Sequence, residues 1–160
     1  MFQMWMMRNL QDPVTLVRAL GLFAFLFSAG FWDLKRMSVP LPLLLAAGFL
    51  AGGLDLFGIC SGKLQGAGPV WALLPGCFYL LLHFVSEGQI GTGDGLSILV
   101  LGLFAGLLNT VLITAAAQFL CALAAAGLLA VRKAGKKTRI PFLPFLGGAA
   151  LVLYLLGGIG

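Results

Sequence analysis

Two aspartates stand out in a chain whose apolar stretches carry almost no charge. Asp33 sits in Trp32-Asp33-Leu34-Lys35-Arg36, and Asp94 closes the run Gly91-Thr92-Gly93-Asp94. Each marks one end of a long apolar segment, where a membrane helix would meet water. Ionisable groups at such depths are costly and tend to serve function. Two carboxylates meeting at one depth have the equipment to hydrolyse a peptide bond. The ionised one takes a proton from water, while the protonated one polarises the scissile carbonyl. Held about 3 Å apart, such groups cannot both ionise cheaply, so they share a proton and titrate as a pair. This chemistry needs neither metal nor cofactor, and none is expected.

Gly91 and Gly93 are candidate substrate-contact positions. Without a Cβ they permit unusual backbone angles and let another chain lie close, as an extended peptide must beside the attacking water. Alone, a GxGD string says little in a chain with 23 glycines.

The elements that must position these residues follow from composition. Of 160 residues, 61% are hydrophobic and 9% charged, against about 25% charged in a soluble domain. The mean hydropathy is +1.07. Such a chain cannot cover a water-soluble fold with polar surface, so the expectation is an all-α, polytopic membrane protein forming one integral-membrane domain over residues 1–160. The net charge of +5 would point to nucleic acid in a soluble protein. Here it reads as loop charge, since half of the basic residues fall between Arg132 and Arg139, and no nucleic-acid partner is expected. Cys60, Cys77 and Cys121 are widely spaced and form no CxxC pair, which gives neither a zinc ribbon nor a disulfide framework. The single histidine, His83, lies in an apolar run and reads as a packed helix residue.

A bilayer span needs about 20 apolar residues. Candidate spans run from Val14 to Phe31, Leu41 to Ile59, Val70 to Val85, and Pro141 to Leu156. The stretch from Leu96 to Val131 is 36 residues long, enough for two helices, with Asn109, Thr110 and Thr114 marking the expected hairpin. The total is about six transmembrane helices. The first span is expected to be a retained helix rather than a cleaved signal, because its core is long and basic residues follow at once. Placing the Asp33–Pro40 loop in the cytoplasm brings Lys35, Arg36, Arg132, Lys133, Lys136, Lys137 and Arg139 to that side. It leaves Arg8, Arg18 and Lys63 opposite. The positive-inside bias therefore puts both termini outside and both aspartates at the cytoplasmic face.

Three segments read together give a resemblance. Asp33-Leu34-Lys35-Arg36-Met37-Ser38-Val39-Pro40 resembles the first aspartate motif of type IV prepilin peptidases. Gly91-Thr92-Gly93-Asp94 matches that family's GxGD. Ile140-Pro141-Phe142-Leu143-Pro144-Phe145-Leu146, after a basic cluster, resembles the IPFxPFL opening of its final helix. The resemblance covers essentially the whole chain. It implies an aspartic endopeptidase of the cytoplasmic membrane with Asp33 and Asp94 as catalytic dyad. The implied substrates are prepilin or pseudopilin proteins with a basic leader and a hydrophobic helix, cut at the cytoplasmic face. The substrate's apolar segment would stay in lipid while its leader reached the dyad. Glu87 is a further candidate for attracting a basic leader, weighed against a plain solvated loop residue. Ile140–Leu146 reads as a structural element whose prolines start a helix where missing N–H groups do no harm.

The chain departs from the family pattern at two positions. A lysine commonly follows two residues after the GxGD aspartate, where this chain has Leu96, and an asparagine commonly follows the first motif's proline, where it has Leu41. Larger members carry an N-terminal region with paired CxxC motifs linked to methylation, which this sequence does not contain, so a peptidase-only short form is expected. The Tyr-Asp and Pro-Ala-Leu motifs of presenilins and signal peptide peptidases are absent. Two other readings compete: a degenerate homologue that binds leaders or assists pilus assembly without cutting, and a small ion or proton transporter.

Overall fold

The computed structural model describes residues 13–62, 68–86, 91–130 and 141–156. These form six helices: α1 (Pro13–Arg36), α2 (Leu41–Cys60), α3 (Gly68–Val85), α4 (Thr92–Ala105), α5 (Leu107–Ala130) and α6 (Leu143–Leu155). Among the described residues there is no strand, and the fold is all-α. The basic cluster Arg132–Arg139 lies outside the described residues, as do Arg8, Lys63, Glu87 and Ile140.

Prolines set several helix starts. Pro40 precedes α2, and Pro42 and Pro144 occupy the first turns of α2 and α6, where a missing N–H breaks no ladder bond. Pro75 acts differently. It removes the bond that would reach the carbonyl four residues back, and α3 breaks at Leu73 into Gly68–Ala72 and Leu74–Val85.

Four helices, α1, α2, α3 and α5, are long and apolar enough to cross a membrane. The six-span expectation is therefore met in helix number but not in length. α4 has 14 residues and α6 has 13, about 20 Å each at 1.5 Å per residue, short of a hydrocarbon core of about 30 Å. The hairpin also falls earlier than expected, at Gly106. Its φ of +80° lies in the left-handed region that glycine enters without strain. Asn109 and Thr110 sit inside α5, where Asn109 Nδ2 donates to the Ala105 carbonyl at 2.9 Å and Thr110 Oγ1 to the Gly106 carbonyl at 2.6 Å. Polar side chains that bond back to the preceding turn are at home in an apolar helix.

The bundle is built around α1 and α4. α1 packs on α6, α2 and α4, while α3 and α4 form the most extensive contact. Small residues bring that pair together. A Cβ on Gly76 would stand 2.5 Å from Leu99, and one on Gly95 would stand 2.8 Å from Leu80. The antiparallel backbones thus approach more closely than side chains would allow. Leu22, Phe25, Leu26, Ile98, Leu101, Ile113, Leu143 and Leu146 fill the interior. The outside is apolar as well, with Phe27 80% and Phe49 79% exposed. An exposed apolar surface of this extent, on helices apolar all the way round, is that of a membrane-embedded bundle.

Candidate active site

Asp33 lies in the last turns of α1, which continues five residues beyond the expected end at Phe31 to Arg36. Its side chain faces inward and only 6% of the residue is exposed. The α6 N-terminus meets it. The Leu143 N–H donates to Asp33 Oδ2 at 3.1 Å, and the Phe142 backbone beside it also favours the charged carboxylate. The first N–H groups of a helix have no partner within it, and α6 has no side-chain cap of its own. Asp33 supplies that cap from another helix, so its carboxylate is held between two walls. The close packing of Gly30 on α1 against Pro144 of α6 sets the separation, since a Cβ there would stand 3.7 Å from the Pro144 backbone.

After α1 the chain turns through Met37, whose φ of +49° is unusual for a residue with a side chain. The Met37 N–H closes the turn on the Asp33 carbonyl at 2.8 Å. Arg36 stacks over the Trp32 ring at 4.7 Å. The segment then runs through Val39 to Pro40, and Val39 lies against Gly93, where a Cβ would stand 3.6 Å from the valine side chain. The two aspartate-bearing segments therefore touch at Val39 and Gly93.

Asp94 is in the first turn of α4, a helical position that favours a negative charge. Gly91 precedes the helix in extended conformation and its carbonyl accepts from the Asp94 N–H at 3.2 Å. A Cβ on Gly91 would come within 3.2 Å of Asp94 Oδ2. The glycine thus leaves room for the carboxylate rather than supplying a special backbone angle. Ser97, fully buried, donates to the Gly93 carbonyl at 2.7 Å and braces the turn.

The fold brings the segments that carry the two aspartates into contact at Val39 and Gly93. The Asp33 charge acts on Asp94, and the Asp94 charge in turn reaches Tyr79 on α3 and Cys121 on α5. Groups on α1, α3 and α5 thus lie within electrostatic range of Asp94 on α4. Two carboxylates within each other's field supply the groups that acid–base chemistry requires. Among the described residues no three His, Cys, Asp or Glu side chains group as a metal ion would need.

Several participants are invisible to motif reading. The Leu143 donor is a backbone group. The only hint of it is Pro141 and Pro144, which mark a helix start and hence free N–H groups. Tyr79 and Cys121 become neighbours of Asp94 only through packing. Leu96 and Leu41 line one apolar groove between α2 and α4. Leu96 lies about 200° around α4 from Asp94, so both departures from the family pattern point away from the carboxylates. Arg18 and Asp55 form an ion pair between α1 and α2, about 22 Å along α1 from Asp33 at 1.5 Å per residue. It is a separate feature at the other end of the bundle.

No protein-family model, curated protein or solved structure matches the chain.

Proposed function

We propose that this protein is an aspartic endopeptidase of the cytoplasmic membrane that removes the N-terminal leader of prepilin-like substrates. The observation that carries the reading is that the Asp33 and Asp94 segments meet at Val39 and Gly93, with the Asp33 charge acting on Asp94. They come from different helices of an apolar bundle, and Asp33 is held by the α6 N-terminus. A dyad of this kind activates water without a metal. The family resemblance adds the substrate class: a basic leader ahead of an apolar helix, cut on the cytoplasmic side. Asp33 and Asp94 are the catalytic residues in this proposal, with Gly91 keeping the Asp94 carboxylate unobstructed and Gly93 admitting close approach.

The mechanism runs as general acid–base hydrolysis. Water sits between the carboxylates, and the ionised one takes its proton as oxygen attacks the carbonyl carbon. The protonated partner donates to the carbonyl oxygen. The dyad then gives its proton to the amide nitrogen as the C–N bond breaks. A hydroxyl of the tetrahedral intermediate returns its proton to a carboxylate as the new carboxyl group forms, and the dyad again holds one proton. The test is cleavage of a synthetic prepilin-type peptide by protein purified into nanodiscs, with the new N-terminus identified by mass spectrometry. A single cut ahead of the apolar segment is the expected product. Intact peptide after prolonged incubation with folded protein would overturn the proposal.

A further inference from the structure

Residues 37–40 connect α1 to α2, and one of them reaches the turn that carries Asp94. We propose that Val39 is a positioning residue, whose side chain seats the first turn of α4 against the end of α1 and so sets the separation of Asp33 and Asp94. This inference rests on the peptidase reading.

On the Asp33 side the seat is pinned at both ends. The Met37 N–H donates to the Asp33 carbonyl at 2.8 Å, which ties the start of the connection to the aspartate's own backbone. Pro40 stands before α2 with φ −68° and ψ 128°, and its carbonyl accepts from the Leu43 N–H at 3.0 Å. A residue ahead of proline is kept out of the helical region, and a β-branched side chain has few rotamers open to it. Val39 is therefore a short, stiff group with little freedom to move away. It is half-buried and packs on the apolar core, unlike the exposed Met37 and Ser38.

On the Asp94 side the seat meets a braced turn. Gly93 has no side chain, and a Cβ built there would stand 3.6 Å from Val39 Cγ2 and 3.7 Å from Val39 Cβ. These are ordinary contact separations, so Val39 lies against the Gly93 backbone without strain. The Gly93 carbonyl accepts from the Ser97 hydroxyl at 2.7 Å, and Ser97 is fully buried. Val39 thus presses on the body of α4, one residue from Asp94. α1 and α4 also meet at Gly21 and Phe104, but Gly21 lies about 18 Å along α1 from Asp33. A contact that distant joins the helices without fixing their aspartate-bearing ends. Acid–base catalysis falls steeply when its groups are displaced by a fraction of an ångström, and Val39 is placed to prevent that displacement.

Two measurements on the full chain in nanodiscs test this. The first needs no substrate. With Cys60, Cys77 and Cys121 changed to alanine, Val39→Cys is combined with Gly93→Cys. The Cβ separation of 3.7 Å suits a disulfide, whose Cβ atoms stand about 3.8 Å apart, so mild oxidation should cross-link the pair within one chain. Ser38→Cys with Gly93→Cys is the comparison and should lag well behind. Equal yields from both pairs, or no cross-link from the first, would overturn the seat. The second measurement is steady-state cleavage of the prepilin-type peptide, with kcat taken per folded molecule well below the melt. Val39→Ala should lower kcat about 10-fold with KM unchanged, and Val39→Ile should restore it. An unchanged kcat, a change in KM alone, or failure of isoleucine to restore the rate would overturn the positioning role while leaving the peptidase reading in place. A protein that cross-links but cuts nothing would remove the peptidase reading and keep the seat.

Discussion

The Leu143 N–H donates to Asp33 Oδ2 at 3.1 Å, across 110 residues of sequence. One carboxylate is thus both a candidate catalytic group and the cap of the final helix. Those roles separate by substitution. Asparagine keeps an acceptor oxygen for Leu143 but cannot exchange a proton as a carboxyl does. Asp33→Asn should therefore abolish cleavage with little change in thermal unfolding. Asp33→Ala should abolish cleavage and also lose about 1 kcal/mol of stability, the usual worth of a helix cap. Equal stabilities for the two variants would show that the cap contributes nothing.

Gly91 offers a test of positioning. Its backbone is extended, with φ −67° and ψ 133°, which any residue can adopt, so Gly91→Ala should fold normally. The new Cβ would stand 3.2 Å from Asp94 Oδ2 and push the carboxylate aside. Displacement of a catalytic group by a fraction of an ångström costs rate steeply, and a fall in kcat of about 10- to 100-fold is expected. Steady-state kinetics beside a thermal melt would check both halves.

The rate of cleavage should be bell-shaped in pH. In the proposed mechanism the reactive dyad carries one proton. On the acid side both carboxyls are protonated and no base remains; on the alkaline side both are ionised and the acid is lost. Activity should therefore fall in both directions from a single maximum. A profile that rises to a plateau would mean that only one group titrates in the mechanism.

Arg18 and Asp55 supply a stability prediction away from the site. Asp55 is buried, its Oδ2 has no partner, and its other oxygen is held by Arg18. Removing the cation alone leaves a buried charge, so Arg18→Met should cost about 3 kcal/mol. Pairing it with Asp55→Leu should recover most of that loss. Unfolding in detergent would measure both, and an Arg18→Met protein as stable as the parent would show that the pair is not the anchor it resembles.

How far the residues foretold this arrangement depends on what kind of signal each one gives. Asp33 and Asp94 were readable because a carboxylate in an apolar run is costly, and the starts of α2 and α6 because proline tolerates only a few helix positions. Asn109 and Thr110 misled because polarity resembles a loop, yet both bond to the preceding turn and leave Gly106 to make the break. Short helices such as α4 and α6 count as spans in the sequence because hydropathy cannot distinguish a span from a short apolar helix. The cap on Asp33, the placement of Tyr79 and the Arg18–Asp55 pair depend on backbone groups and packing, which no motif carries. Glu87 lies outside the described residues, and its part in binding rests on the sequence reading alone.

The central claim is that Asp33 and Asp94 act as one unit. Its most direct test is cleavage of a prepilin-type peptide by the parent protein, Asp33→Asn, Asp94→Asn and the double variant, all reconstituted in the same lipid. Residues that work together lose activity non-additively, so each single change should remove as much activity as both together. Retention of substantial cleavage by either single variant, with the product cut at the same bond, would contradict the dyad.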